Sequence, residues 1–181
     1  MASGFPYAKG LALKTYSKKI CLLGDFAVGK TSLVRRFVHS RFDDQYISTI
    51  GVKVSRKTVM APAGGEVAEL TMMLWDLAGS QEFNTVTASY LRGASGAILV
   101  CDLTRADTLS SLQRYANDVR EICGPIQFVV AANKIDIPEQ HVISSTQVAD
   151  AATNLQAPHF FTSARIGDEV DEMFRHLGKL L

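Results

Sequence analysis

Apolar positions along this chain change period several times, and the changes mark out its elements. Lys19-Ile20-Cys21-Leu22-Leu23-Gly24 is a short apolar run that stops at glycine. Apolar residues then recur at Leu33, Val34, Phe37 and Val38, the spacing of one helix face. The order predicted is strand, glycine loop, helix. From Gly51 the period falls to two through Val52, Val54 and Val59, breaks at Pro62-Ala63-Gly64-Gly65, and resumes through Leu70, Met72 and Leu74, the pattern of an antiparallel hairpin. Three further apolar runs, 97–101, 127–132 and 159–162, read as buried strands, each followed by a helix candidate. The clearest of these helices carries Leu109, Leu112, Tyr115, Val119 and Ile122 on one face, with Asp107 placed to accept from its N-terminal amides. The last carries Val170, Met173, Phe174, Leu177 and Leu181.

Strands alternating with helices predict an α/β domain. Its sheet would be six-stranded and mainly parallel, with one antiparallel strand from the hairpin, helices on both faces, and ligands at the carboxyl ends of the strands. At 181 residues, 47% of them hydrophobic, the chain fits one domain with a continuous core. The start mixes Gly, Pro, Lys and Ser without a period, which predicts a flexible tail over 1–15 and a folded domain over 16–181. Nineteen basic against 18 acidic residues leave a net charge of +1, so no field argues for nucleic acid as a partner. Of the 3 cysteines, Cys21 and Cys101 lie in apolar runs, which suits buried thiols in a reducing, cytoplasmic compartment. No run reaches about 20 apolar residues. Ala2 is not a myristoylation glycine and Gly178-Lys179-Leu180-Leu181 holds no cysteine, so no membrane anchor is expected. His39, His141, His159 and His176 share no metal-ligand spacing.

Gly24-Asp25-Phe26-Ala27-Val28-Gly29-Lys30-Thr31 fits G-x-x-x-x-G-K-[ST] and lies between a predicted strand and a predicted helix, where its mechanism requires. Backbone amides from Asp25 to Ser32 would wrap the phosphates, and the helix N-terminus adds positive potential. Lys30 would bridge the β- and γ-phosphates, and the Thr31 hydroxyl would coordinate Mg²⁺. The loop alone does not separate GTP from ATP, nor an NTPase from a small-molecule kinase.

Four other segments accompany the phosphate loop: Asn133-Lys134-Ile135-Asp136, Thr162-Ser163-Ala164-Arg165, the stretch from Arg41 and Phe42 through Tyr46 and Thr49 to Gly51, and Trp75-Asp76-Leu77-Ala78-Gly79. With the phosphate loop, their order and spacing resemble the Ras superfamily over about residues 17 to 181, and several are most similar to its Rab branch, without a C-terminal prenylation cysteine. The resemblance implies a P-loop NTPase fold binding GTP or GDP with Mg²⁺. It implies that Asp136 accepts from guanine N1 and the 2-amino group, donors that adenine does not present together. Asn133 would tie the phosphate loop to this segment, Lys134 would lie across the base, and the Ala164 amide would meet guanine O6 with Ser163 supporting it. Arg165 stands where the family usually has lysine. Phe42 would flank the base, Tyr46 would cover the phosphates, and Thr49 would ligate Mg²⁺ and touch the γ-phosphate. Asp76 would join the Mg²⁺ shell through water, and the Gly79 amide would reach the γ-phosphate. Trp75 and Tyr90 match two members of an aromatic surface triad used by Rab effectors, with Val54 where the third would be Phe.

Two positions depart from that pattern. Ser80 stands in the register of the glutamine that orients the attacking water, and the neighbouring Gln81 reaches that place only by a local insertion and deletion. Ser80 is therefore favoured there, with Gln81 the substitute. Phe26 stands where the family normally has a small residue, and bulk there obstructs hydrolysis. Both changes predict tight binding and slow hydrolysis, in a monomeric switch that meets effectors, exchange factors and GTPase-activating proteins through residues around 42–51 and 77–92. A pseudo-GTPase used as a nucleotide-bound interaction module is the rival. An ATP-dependent phosphotransferase would not need the Asn133–Asp136 segment.

Overall fold

The computed structural model describes residues 14–42, 49–79 and 85–181. The elements run β1 (Thr15–Leu23), α1 (Lys30–His39), β2 (Val52–Ala63), β3 (Glu66–Leu77), α2 (Thr85–Leu91), β4 (Gly96–Asp102), α3 (Ala106–Ser110), α4 (Leu112–Cys123), β5 (Gln127–Asn133), α5 (Ser145–Leu155), β6 (His159–Thr162) and α6 (Val170–Leu180). The six strands form one sheet in the order β2-β3-β1-β4-β5-β6. Only β2 is antiparallel, paired to β3 from Val52↔Leu77 to Ala63↔Glu66. The expected α/β architecture is the observed one.

Alternation along the central strands divides the core into two layers. Ile20 and Leu22, Ile98 and Val100, and Val129 and Ala131 pack with Leu33, Val34 and Phe37 of α1 and Val170, Met173, Phe174 and Leu177 of α6. Their neighbours Cys21, Leu23, Leu99, Cys101, Val130 and Ala132 face Leu112, Tyr115 and Val119 of α4 and Val148, Ala152 and Leu155 of α5. The Phe37 and Phe174 rings stack at 4.1 Å and join α1 to α6. Because β1 lies between β3 and β4, the turn after it opens at the middle of the sheet's carboxyl edge, with the ends of β4, β5 and β6 beside it.

β1 begins at Thr15, earlier than its apolar run. Backbone pairing such as Thr15↔Glu69 and Ser17↔Thr71 sustains it where the side chains are polar, so the hydrophobic pattern does not register those residues. The expected tail over 1–15 lies outside the described residues except for Lys14 and Thr15. The single helix expected after β4 is two. Ser111 separates α3 from α4, and its hydroxyl donates back to Asp107 O at 3.1 Å, a bond that competes with the helical ladder. Asp107 is also not the cap: Arg105 is the N-cap residue and makes no side-chain cap bond, while Asp107 sits inside the first turn. Thr108 ties the helix start instead, accepting from Asp102 N at 2.9 Å and donating to Arg105 O at 2.7 Å. A capping box formed by Ser144 and Gln147 starts α5, an S-x-x-Q signal present in the sequence. Among the described residues no helix is long and apolar enough to cross a membrane.

Candidate nucleotide site

The turn from β1 into α1 is built around two approaches that exclude side chains. Gly29 takes φ +105°, and a Cβ there would lie 2.2 Å from Asn133 Nδ2. A Cβ on Gly79 would lie 2.5 Å from Phe26 N and 2.6 Å from Asp25 C, so the end of the 75–79 segment rests on the phosphate loop's backbone. The Lys30 side chain folds over the loop and donates from Nζ to Gly24 O at 2.7 Å and Asp25 O at 2.9 Å. Burial pushes its pKa down to about 8, against the pull of Asp76 and Asp25. The loop thus surrounds a desolvated cation.

Around Asn133 and Asp136, side chains bond to one another across the strand ends. Asn133, at the end of β5, donates from Nδ2 to Val28 O at 2.9 Å. Its Oδ1 accepts from Thr162 Oγ1 at 3.2 Å and from Ala164 N at 3.3 Å. Ser163 Oγ donates to Asp136 Oδ1 at 2.6 Å and accepts from Ile166 N at 3.1 Å, which orients the carboxylate. Lys134 has φ +72°, and its ammonium lies 2.6 Å from Oδ2 of the buried Asp102, an ion pair. The other oxygen of Asp102 accepts from Thr104 N at 2.9 Å and Thr104 Oγ1 at 2.7 Å.

On the opposite side three oxygen-bearing side chains converge. The Thr31 and Thr49 hydroxyls are 2.7 Å apart, and Thr31 Oγ1 donates to Asp76 Oδ2 at 2.5 Å. The second carboxylate oxygen of Asp76 is buried without a hydrogen-bond partner. Burial raises the Asp76 pKa, opposed by the Thr31 bond and by the charges of Lys30, Lys53 and Arg35. A buried carboxylate oxygen in want of a partner, beside two hydroxyls, is a donor set of hard oxygens that fits Mg²⁺. Ala78 N donates to Gly51 O at 2.9 Å and links the 49–51 and 75–79 segments.

These groups line one cavity of about 380 Å³ that includes Phe26, Lys30, Thr31, Thr49, Asp136 and Arg165. Ala27, Gly29, Ser32, Phe42, Gly79, Asn133, Lys134 and Ala164 border it too. Asp25, Val28, Asp76 and Ser163 stand behind that wall and act through the bonds described. Phe26 is 52% exposed at the cavity. The readings of Tyr46, Ser80 and Gln81 fall outside the described residues. Sequence reasoning missed Arg36, which donates from Nε to Ala164 O at 2.7 Å and from Nη2 to Arg165 O. It also missed Asp102, Arg105 and Tyr115; each acts on residues far away in the chain, which no local pattern signals.

A phosphate loop at the centre of the carboxyl edge, with a guanine-type loop bonded to it through Asn133, is the arrangement of a small GTPase, a GTP-binding switch. The family model described as Ras family matches residues 19–181. The chain is 38% identical over 164 residues to Ras-related protein SEC4 of Saccharomyces cerevisiae, covering 90% of this chain and 74% of that protein. It is 35% identical over 157 residues to Ras-related protein Rab-1C of Dictyostelium discoideum, covering 86% and 76% respectively. To Ras-related protein Rab-21 of Homo sapiens it is 33% identical over 167 residues, covering 92% and 72%. The chain belongs to the Ras family, and its relatives are Rab-like.

Proposed function

We propose that this switch binds GTP and GDP tightly with Mg²⁺, hydrolyses GTP slowly, and presents its GTP state to partner proteins. The observation that carries the reading is Phe26, a large exposed ring on the wall of the phosphate cavity, in a loop whose backbone already touches Gly79. Asp136, oriented by Ser163, would accept from guanine, and Asn133 would hold that loop against the phosphate loop. Lys30 would give up its carbonyl contacts for phosphate oxygens, which would restore an ammonium that burial disfavours. Thr31, Thr49 and Asp76 would hold Mg²⁺, which when bound neutralises negative charge on the β- and γ-phosphates.

In the reaction a water oxygen bonds to the γ-phosphorus as the bond from that phosphorus to the GDP oxygen breaks, and Lys30 with the loop amides stabilises the charge gathering on GDP. Orienting the water is the weak step, with Ser80 in the usual glutamine register and Phe26 crowding the approach. Effectors, exchange factors and GTPase-activating proteins would meet the surface around 42–51 and 77–92. Near it Trp75 and Tyr90 stand 6.4 Å apart, with Lys19 Nζ 3.7 Å above the Trp75 ring. The free thiols suit a reducing compartment such as the cytoplasm.

Single-turnover GTP hydrolysis on Mg²⁺-loaded protein, alone and as Ser80→Gln, tests the reading. A slow wild-type rate that rises at least about tenfold in the variant, roughly 1.4 kcal/mol of barrier, supports it. An ordinary wild-type rate overturns it. A wild type with no turnover and no gain in the variant favours the second reading that Phe26 suggests, a nucleotide-bound interaction module.

A further inference from the structure

The phosphate loop contains a carboxylate, Asp25, beside a cavity suited to a polyanion, and a free negative charge there would repel phosphate. The Asp25 side chain does not line that cavity. Its Oδ1 accepts from Tyr115 OH at 2.9 Å and lies 3.7 Å from Arg114 Nη2. Both partners come from α4, about ninety residues further along the chain. Tyr115 is buried in the layer beneath α4, so its ring is fixed by packing and its hydroxyl arrives at Asp25 with little freedom left. Burial, and then Asp25 beside it, push the phenol up to about 12, so at neutral pH it is the donor. Arg105, at the entrance to α3, donates from Nη2 to Phe26 O at 2.9 Å. One stretch of chain therefore meets two consecutive residues of the phosphate loop, once at a side chain and once at a backbone carbonyl.

We propose that Tyr115, aided by Arg114 and Arg105, is a positioning residue that keeps the Asp25 carboxylate turned out of the phosphate cradle and so sets phosphate affinity. The bond costs little in the folded chain because both ends are already ordered, and it removes from the cradle a charge that would oppose each phosphate oxygen. Arg105 completes the brace by holding the carbonyl of Phe26, the residue whose own amide nitrogen lies against Gly79. The effect of Tyr115 falls on the phosphate half of the ligand, since its hydroxyl meets the loop at Asp25, whereas Arg105 also lies 3.7 Å from Asp102 Oδ2, the oxygen that pairs with Lys134.

This inference rests on the cavity being a GDP and GTP site, and its test separates the two. Dissociation constants for GDP and for guanosine, which has no phosphate, are measured on the full chain, on Tyr115→Phe, and on Tyr115→Phe combined with Asp25→Asn. Tyr115→Phe is expected to weaken GDP about tenfold and to leave guanosine within about twofold, and Asp25→Asn is expected to restore most of the GDP loss by removing the charge. GDP affinity unchanged by Tyr115→Phe overturns the brace alone, as does an equal loss for GDP and guanosine or a double variant no better than the single. A wild type that binds no GDP overturns the reading of the site and the brace with it. If Tyr115→Phe fails to fold, Arg114→Met carries the test, because Arg114 faces the same Asp25 oxygen. It is expected to lose GDP affinity about threefold, with guanosine spared and Arg114→Lys recovering part of the loss; GDP affinity equal to wild type would overturn the brace.

Discussion

Under the proposed function the cavity has two unlike ends, one for the base and one for the γ-phosphate. At the base end, Asn133 bonds to Val28, Thr162 and Ala164, Ser163 grips Asp136, Lys134 pairs with Asp102, and Arg36 of α1 reaches the carbonyls of Ala164 and Arg165. Nearly every group there is cross-bonded within the protein, so the pocket for the base is already shaped. At the γ-phosphate end the described residues contribute the Thr31, Thr49 and Asp76 oxygens, the Lys30 ammonium on the loop carbonyls, one backbone bond between Ala78 and Gly51, and the touch of Gly79 on the phosphate loop. The base end suits recognition that is the same for GDP and GTP, and the other end suits discrimination between them.

That contrast is broken or sharpened by substitution. Asp136→Ala removes the carboxylate that Ser163 orients, and GDP affinity measured by titration calorimetry should fall about a thousandfold, with GTP falling equally. Asn133→Ala leaves Val28 O, the Thr162 hydroxyl and the Ala164 amide without their partner, and denaturant unfolding should show a loss of about 3 kcal/mol together with weaker binding of both nucleotides. A smaller and asymmetric effect is expected from Gly79→Ala, whose methyl group would press on Phe26 N and Asp25. GDP should bind normally while a non-hydrolysable GTP analogue loses about tenfold, and equal losses would contradict the division of labour between the two ends. Smallest is Ser144→Ala, which removes the α5 capping box. It should cost about 1 kcal/mol in stability and leave both nucleotide affinities alone, because the cap lies outside the cavity.

Legibility in the sequence followed the range of the interactions. The phosphate loop could be read because its chemistry lies in backbone geometry specified by residues within one turn, Gly24 to Thr31. The central strands could be read from the unbroken apolar runs at 97–101 and 127–132, which mark strands covered on both faces. Asp107 was misassigned as a cap because its residue type suits the role, while the Thr108 hydroxyl, a weaker pattern, won by bonding both Asp102 and Arg105. The break at Ser111 has no apolar signature, since Leu109, Leu112 and Tyr115 keep a helical spacing across it. Arg36, Arg105 and Tyr115 were invisible as site residues because each meets a partner far along the chain, at separations of 128, 79 and 90 residues.

The cysteines offer the chemist a handle. Cys21 and Cys101 lie inside the sheet, where burial pushes both thiols up to about 12, so at neutral pH neither supplies the thiolate that alkylating reagents attack. Cys123 is half-buried at the end of α4, and its thiol donates to Leu91 O, the last residue of α2, at 3.2 Å. Burial raises the Cys123 thiol as well, so a maleimide dye given to the unmodified protein would react slowly, and at Cys123 because solvent reaches it and not the other two, with its fluorophore against the foot of α2. That places an optical reporter next to the helix that follows the 77–92 segment's start, without introducing a single new residue.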